Sequence, residues 1–382
     1  MEAYDELLRW AAKHGIEIHS IAPQRIPGRG IGIVATKPIK ASERLLLVPT
    51  ASLRGLESVK PKIRKALPIP PKTKAHAILA ADLALDKDPS PKYAPWNAVV
   101  PSQEDITSYV PLAWRDLDTL RQYLPSSALN LLQKQEAKFQ IDWKLVSATF
   151  PTLTREKYLY HWLLVNTRTF YHENSRTAKL PRDDRMILQP VADLFNHADV
   201  SGCEVAFDAS SFTITAERDF EEGEEVYICY GKHSNDFLLV EYGFVMDENR
   251  WDEVLLDEVI LEEMSERQKE LLEEKGFLGN YVLDERTPGC YRTQVALRLV
   301  CVSDEKEWER FVEMGEDGGK LVQRKVDEVF VKILSKFLGR IERMVEELEG
   351  MNTGLESQRE VLIKRWGQIR GMVEKTIKEL EA

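Results

Sequence analysis

A chain of 382 residues, 43% of them hydrophobic, can bury the core of one or two folded domains and does not have the composition of a disordered polymer. Lys and Arg number 52 against 63 Asp and Glu, and the formal charge of -11 argues against an electrostatic grip on nucleic acid or an anionic membrane and suits a basic partner instead. No run approaches the roughly 18 apolar residues that span a bilayer, and the opening MEAYDELLRWAAKHG is a charged amphipathic stretch rather than a leader, so a soluble chain of cytoplasmic or nuclear location is expected.

Along the chain, Tyr4, Leu7, Leu8 and Ala11 recur at helical spacing over residues 4–13. Residues 17–53 then change to short β-branched runs broken by Pro and Gly. Within them IGIVAT and RLLLVP, joined by KPIKASE, predict a hairpin or meander over residues 31–49. Helical periodicity returns in residues 54–180, clearest at 73–85, 112–123, 127–137 and 155–170. The basic, proline-rich SVKPKIRKALPIPPKTK reads as a solvated loop or, alternatively, as a lip for docking a substrate.

Strand texture resumes in MILQPVADLF, EVAFDASSFTITAERDF and EEVYICYG, with Asp208, Ala209, Ser210 and Ser211 as a hairpin turn. Beyond Trp251 the chain becomes acidic and helical. Residues 320–348 and 353–380 predict two long helices, joined at GMNTG as an antiparallel hairpin. Cys203, Cys229, Cys290 and Cys301 stand far apart without a C-x-x-C pair, so buried free thiols are expected rather than disulfides or a zinc cluster.

Three segments could carry chemistry. Pro27-Gly28-Arg29-Gly30-Ile31-Gly32-Ile33 is not a dinucleotide fingerprint, because Ile33 stands where G-x-G-x-x-G needs its last glycine and because the segment opens a strand, not a helix. Its glycines suit either a tight turn or a backbone that approaches a ligand. Asp193-Leu194-Phe195-Asn196-His197 follows a strand; its Asn and His could satisfy a local turn or hold an adenine and an amino-acid carboxylate. In EEGEEVYICYGKHSN, alternation sets Val226, Ile228 and Tyr230 on one face, where Tyr230 either packs or presents its hydroxyl to a pocket beside Gly231.

Taken in order, GRGIGIVATKPI, a long helical insertion, LQPVADLFNH, EEGEEVYICYGKHSN and EYGF resemble the SET-domain methyltransferases. The chain is most similar to the branch of the plant Rubisco large-subunit lysine methyltransferase and its fungal and animal relatives, which modify non-histone proteins such as ribosomal proteins. The resemblance implies an α+β protein. Its SET fold, of small β-sheets with a pseudoknot, would cover residues 1–250 and be interrupted by a helical insertion at about 54–180. An all-helical, substrate-binding-like domain would cover 251–382.

The resemblance also implies S-adenosyl-L-methionine as cofactor, no metal, and a lysine-containing protein substrate, with no direct nucleic acid or membrane partner and a monomeric chain. Carried over residue by residue, Arg29, Gly30 and Ile31 would contact the cofactor through their backbone, and Asn196 and His197 would cradle its adenine and methionyl parts. Arg168 matches an arginine that usually follows serine, here replaced by Thr167, and would serve cofactor and substrate. Tyr230 would be the catalytic tyrosine, touching both. Tyr242 would line the substrate channel, Phe244 would pack on cofactor or channel, and Asp193 would lie on the substrate side. The same fold with a histidine or small-molecule acceptor, or a non-catalytic adaptor, is the alternative.

Overall fold

Helix α1 (Ala3–Lys13) buries Leu7 and Ala11 of the predicted stripe together with Trp10, while Tyr4 and Leu8 are half-buried. The computed structural model describes residues 3–68, 72–86, 93–174, 177–302, 304–315 and 319–382. The chain packs as two compact units, Met1–Ala113 with Lys134–Lys232 and Trp114–Gln133 with His233–Ala382. The units divide at 232/233, with 114–133 joining the second.

In the first unit, β1 (Glu17–Ile18), β2 (Ile21–Ile26), β3 (Gly30–Ala35) and β4 (Arg44–Pro49) follow α1. β2 and β3 pair as an antiparallel hairpin from Ile21 opposite Ala35 to Ile26 opposite Gly30. The hairpin or meander expected of IGIVAT and RLLLVP does not form. β4 pairs with β1 on one side and with a later strand on the other. The connection between them explains the separation: Ile39 is fully buried and exchanges both backbone hydrogen bonds with Phe220, which carries the chain out of one sheet and into another.

The helical block supplies α2 (Pro61–Ala66), α3 (Ala75–Ala84), α4 (Ala94–Asn97), α5 (Gln103–Tyr109), α6 (Leu117–Leu120), α7 (Ser126–Thr149) and α8 (Arg155–Arg168). The basic segment expected as a loop forms α2, with Pro61 in its first turn where no amide partner is lost; residues 69–71 of that segment lie outside the described residues. The helix expected at 112–123 is cut into short turns around α6, because Pro111 and Pro125 bracket it and Leu124, before proline, is extended. α7 runs on to Thr149, since Leu132, Phe139 and Val146 continue one fully buried stripe. Phe139 packs edge-on against Trp162 of α8, whose indole donates to Asp142 at 2.9 Å.

After α8 come β5 (Thr169–Tyr171), β6 (Met186–Leu188), β7 (Cys203–Phe207) and β8 (Ser211–Ala216). β5 pairs with β6, and β7 and β8 form the expected hairpin, its turn tied by Asp208 Oδ1 accepting from the Ser210 and Ser211 amides. The resulting four-stranded sheet has the order β1-β4-β8-β7. EEVYICYG, expected as a strand, is extended but bridges two different partners in turn, Val34 through Glu225 and His197 through Ile228, so no regular ladder builds up.

The second unit contains α6, the start of α7, and then α9 (Asn235–Tyr242), β9 (Glu253–Leu255), α10 (Asp257–Leu261), α11 (Glu266–Glu274), β10 (Val282–Asp284), α12 (Tyr291–Cys301), α13 (Glu305–Met314), α14 (Gly319–Glu349) and α15 (Glu356–Glu381). α14 and α15 form the predicted helical hairpin, with Phe337 set edge-on to Trp366. At its turn, Gly354 has φ +78°, and a Cβ there would meet Leu120 at 2.8 Å. Arg365 of α15 is fully buried; it bonds Asp236 at 2.7 Å and Asp252 at 2.6 Å, tying the last helix to the start of α9.

Only Cys203 is buried; Cys229 is exposed and Cys290 and Cys301 are half-buried, which corrects the expectation of four buried thiols. Cys229 is exposed because it lies on the face opposite Val226 and Ile228. Among the described residues no helix is long and apolar enough to cross a membrane.

Candidate functional site

The turn between β2 and β3 bends at Gly28 and Gly30, both at positive φ, with the Arg29 amide returning to the Ile26 carbonyl at 3.1 Å. A Cβ on Gly30 would meet nothing within 4 Å, so the backbone is open there. On Gly32 it would come within 2.6 Å of Glu225 Oε1 and 2.8 Å of Asn196 Nδ2, so any side chain there would push these two groups apart.

Residues 225–230 run between β3 and residues 196–198. The Val226 amide donates to Ile33, the Ile228 amide to Asn196, and the Ala198 amide returns to Ile228, at 2.8, 3.0 and 3.1 Å. The segment is therefore held on both sides, the adjacency that the expected pseudoknot requires. This path fixes the side chains that follow. The Tyr230 amide donates to His197 Nδ1 at 3.0 Å, and the two rings stack with centroids 5.1 Å apart. Since Nδ1 accepts, the neutral ring carries its proton on Nε2. The Tyr230 hydroxyl donates to the Phe195 carbonyl at 2.6 Å, so toward an approaching group that oxygen acts as an acceptor.

Asn196 is half-buried and donates Nδ2 to Glu225 Oε1 at 2.8 Å. Glu225, its side chain only 9% exposed, also receives Arg29 at 2.7 Å and the Tyr227 hydroxyl at 2.8 Å. Arg29 donates in turn to Tyr227, and that bond, ahead of its attraction to Glu225, raises the guanidinium above its ordinary value. Burial raises the Tyr227 phenol.

Arg168, the last residue of α8, reaches Asp193, donating Nη1 to its carbonyl at 2.7 Å and to its carboxylate at 3.2 Å. The Asp193 carboxylate has no exposed surface and takes the Trp96 indole N–H as well, at 3.0 and 3.1 Å to its two oxygens. Burial pushes this carboxyl above the usual carboxylate range, against the opposing pull of Arg168 and Trp96. Asp193 thus lies beneath Arg168 as its support. The Nε of Arg168 is buried without a hydrogen-bond partner among the described residues, and the side chain borders a cavity of about 240 Å3 shared with Arg54, Trp96 and His161. Just before Asp193, Val191 has φ +75° and ψ -47°, an unusual conformation for a β-branched residue, and it is fully buried.

The first unit therefore gathers Arg29, Gly30, Ile31, Arg168, Asp193, Asn196, His197 and Tyr230. Tyr242 and Phe244 belong to the second unit, at the end of α9, where Gly243 turns left-handed and the two rings lie 6.3 Å apart. Burial pushes the Tyr242 phenol up to about 12. Sequence reasoning gave no role to Glu225, Tyr227 or Trp96. A glutamate two residues before a tyrosine, in a segment of apolar alternation, was the one visible signal.

The donor set fits an amino-acid-bearing cofactor. Asn196 Oδ1 has no partner among the described residues, Arg168 holds an unpaired N–H, and the backbone at Gly30 is open. These offer an acceptor for an amine and a cationic donor for a carboxylate.

Compared with known proteins, residues 30–231 match the SET domain model and residues 252–379 the model described as the ribosomal lysine N-methyltransferase 2 C-terminal domain. The chain is 25% identical over 258 residues to ribosomal lysine N-methyltransferase set11 of Schizosaccharomyces pombe, a match covering 65% of this chain and 66% of that protein. It is 25% identical over 315 residues to ribosomal lysine N-methyltransferase 2 of Saccharomyces cerevisiae, covering 69% of this chain and 64% of that protein. The chain thus spans just under two thirds of the length of these two relatives. The crystal structure of the SET domain of LSMT bound to lysine and AdoHcy superimposes with a TM-score of 0.65 at 18% identity, over 100% of this chain and 92% of that one, a likeness of fold.

Proposed function

This chain belongs to the SET-domain family, and on that premise we propose that it transfers a methyl group from S-adenosyl-L-methionine to a lysine side chain of a non-histone protein. The observation that carries the reading is the clustering of Asn196, His197 and Tyr230 by the 225–230 segment, with the Tyr230 hydroxyl fixed on Phe195. When bound, the cofactor supplies a sulfonium methyl whose C–S bond breaks as the amine lone pair forms the N–C bond, leaving a neutral thioether.

The chain's own residues supply position. Asn196 and the backbone at residues 29–31 hold the nucleoside end; Arg168, propped by Asp193, holds a carboxylate. Tyr230 accepts an N–H of the incoming amine and so aims its lone pair, an alignment that in well-oriented systems accounts for several kcal/mol of barrier or more. The tyrosine's own proton is engaged on Phe195, so Tyr230 orients rather than removes protons. The lysine loses its proton by desolvation and by repulsion from the sulfonium. For Tyr242 and Phe244 the proposed roles, channel wall and cofactor packing, are those the family implies.

The fungal relatives support a ribosomal protein as the substrate, and the net charge of -11 suits a basic one. We assign the protein to cytoplasm or nucleus, as a monomer without direct nucleic-acid contacts. The test is incubation with radiolabelled S-adenosyl-L-methionine and extract depleted of this protein, Tyr230→Phe alongside. A discrete band labelled by the native chain alone, with mass spectrometry finding methyl-lysine, supports the reading. A methyl-histidine would replace the acceptor, and cofactor binding without any labelled protein would point to a small-molecule acceptor or an adaptor.

A further inference from the structure

Glu225 touches each of the two side chains that flank the open backbone of β3, and neither family membership nor the roles given above require anything of it. We propose that Glu225 is a positioning residue: it locks the Asn196 amide with Nδ2 inward and Oδ1 outward, so that the site recognises an amino group of the cofactor through an acceptor. The inference rests on the reading that Asn196 holds that cofactor.

The argument is one of donor and acceptor inventory. An ionised carboxylate only accepts, so the atom of Asn196 that lies 2.8 Å from Glu225 Oε1 must be the NH2 group. The opposite flip would set a carbonyl oxygen against a carboxylate, replacing a charge-assisted bond by a repulsion. Glu225 cannot swing away to allow it. Its other oxygen is engaged by Arg29 at 2.7 Å and by Tyr227 at 2.8 Å, its side chain is almost wholly buried, and its backbone bridges to Val34 of β3. Gly32 leaves Glu225 and Asn196 the room to meet, since a Cβ there would lie 2.6 Å from Oε1 and 2.8 Å from Nδ2. What is left of the amide is Oδ1, on a half-buried side chain, with no partner among the described residues.

The amino group could be the 6-amino group of the base or the α-amino group of the amino-acid part, and the experiment separates them. Binding of S-adenosylhomocysteine to the full-length protein is measured by calorimetry, together with an analogue bearing inosine in place of adenosine and one lacking the α-amino group. The native chain is expected to bind one of the two analogues about tenfold or more weakly than the parent, and that analogue names the donor. Glu225→Ala should bind the parent about tenfold more weakly and lose most of the discrimination, and Glu225→Gln should lose it too, because its single amide oxygen is claimed by Arg29 and Tyr227 and its NH2 group then faces Asn196. In an Asn196→Ala background, Glu225→Ala should cost less than about twofold more, because both changes remove one device. Discrimination that survives in Glu225→Ala, or losses that multiply in the double variant, overturns the proposal. A native chain that binds no S-adenosylhomocysteine overturns the cofactor reading itself; one that binds the parent and both analogues alike overturns only the acceptor role of Asn196. Circular dichroism of each variant separates these outcomes from unfolding.

Discussion

The hydroxyl of Tyr230 donates to the main-chain carbonyl of Phe195 at 2.6 Å, joining residues 35 positions apart by one short hydrogen bond. The bond fixes the phenol's proton as well as its position. Tyr230→Phe removes the oxygen and leaves the Phe195 carbonyl without this donor, which costs on the order of 1 kcal/mol of stability. Turnover is expected to fall by about 10²-fold or more with cofactor affinity changed only a few-fold, because alignment and a charge-facing oxygen are lost together. Parallel single-turnover kinetics and cofactor calorimetry check this; undiminished turnover removes Tyr230 from the reaction.

Asp193 is completely covered and carries Arg168 and Trp96 on its carboxylate. Asp193→Ala leaves a mostly buried guanidinium with one carboxylate fewer, so a loss of about 3 kcal/mol in unfolding free energy is expected. Cofactor affinity should fall with it, since Arg168 loses its support. Asp193→Asn keeps the shape and should recover part of both. Equal cofactor affinity in native and Asp193→Ala proteins would detach Arg168 from the site.

In the second unit, Arg365 holds Asp236 and Asp252 together at zero exposure, and burial is what pushes the Asp236 carboxyl upward despite that cation. Arg365→Met strands two neighbouring buried carboxylates, at an expected loss of about 3 to 5 kcal/mol. Adding Asp236→Asn and Asp252→Asn should return much of it. Denaturant midpoints of the three proteins give the answer, and a triple variant no better than Arg365→Met would assign the loss to packing.

His76 stacks on Trp162 at 4.2 Å and bonds its carbonyl at 2.8 Å; burial lowers the imidazole to about 4 against the opposing effect of that bond. The folded ring therefore binds a proton less readily than the unfolded ring, whose ordinary value is 6.5. Stability is complete above 6.5, declines as pH falls from 6.5 toward 4, and levels below. Urea midpoints across that window should show the decline, and His76→Phe should flatten part of it. His161, whose ring burial likewise lowers to about 4, adds to the decline, while the buried Asp142 carboxyl, raised by burial to about 6, opposes it in the same window.

What sequence revealed was whatever repeats at a fixed period or forms a short ordered motif. The stripe of α1, the β7–β8 hairpin with Asp208 in its turn, and the helical hairpin of α14 and α15 were all legible for that reason. So was the set Asn196, His197 and Tyr230, through the resemblance. The partnering of β4 with β8 was not legible, because it joins residues more than a hundred positions apart and is decided by where Ile39 meets Phe220. Glu225 was invisible for the same reason: its importance comes from Arg29, Asn196 and Tyr227 converging on one carboxylate. Asp193 was visible as a residue, but its burial under Arg168 was not.

Val191, fully buried at φ +75° with a branched side chain, sits immediately upstream of the residues that form the site. A residue held in such a conformation costs about 1 to 3 kcal/mol, and its neighbours must over-determine it for it to persist. Glycine would relieve that strain yet release the backbone that aims Asn196 and His197. Position 191 thus binds local strain to the aim of the site: Val191→Gly exchanges that strain for a lost buried side chain and a freer backbone, and a screen for turnover would reject it.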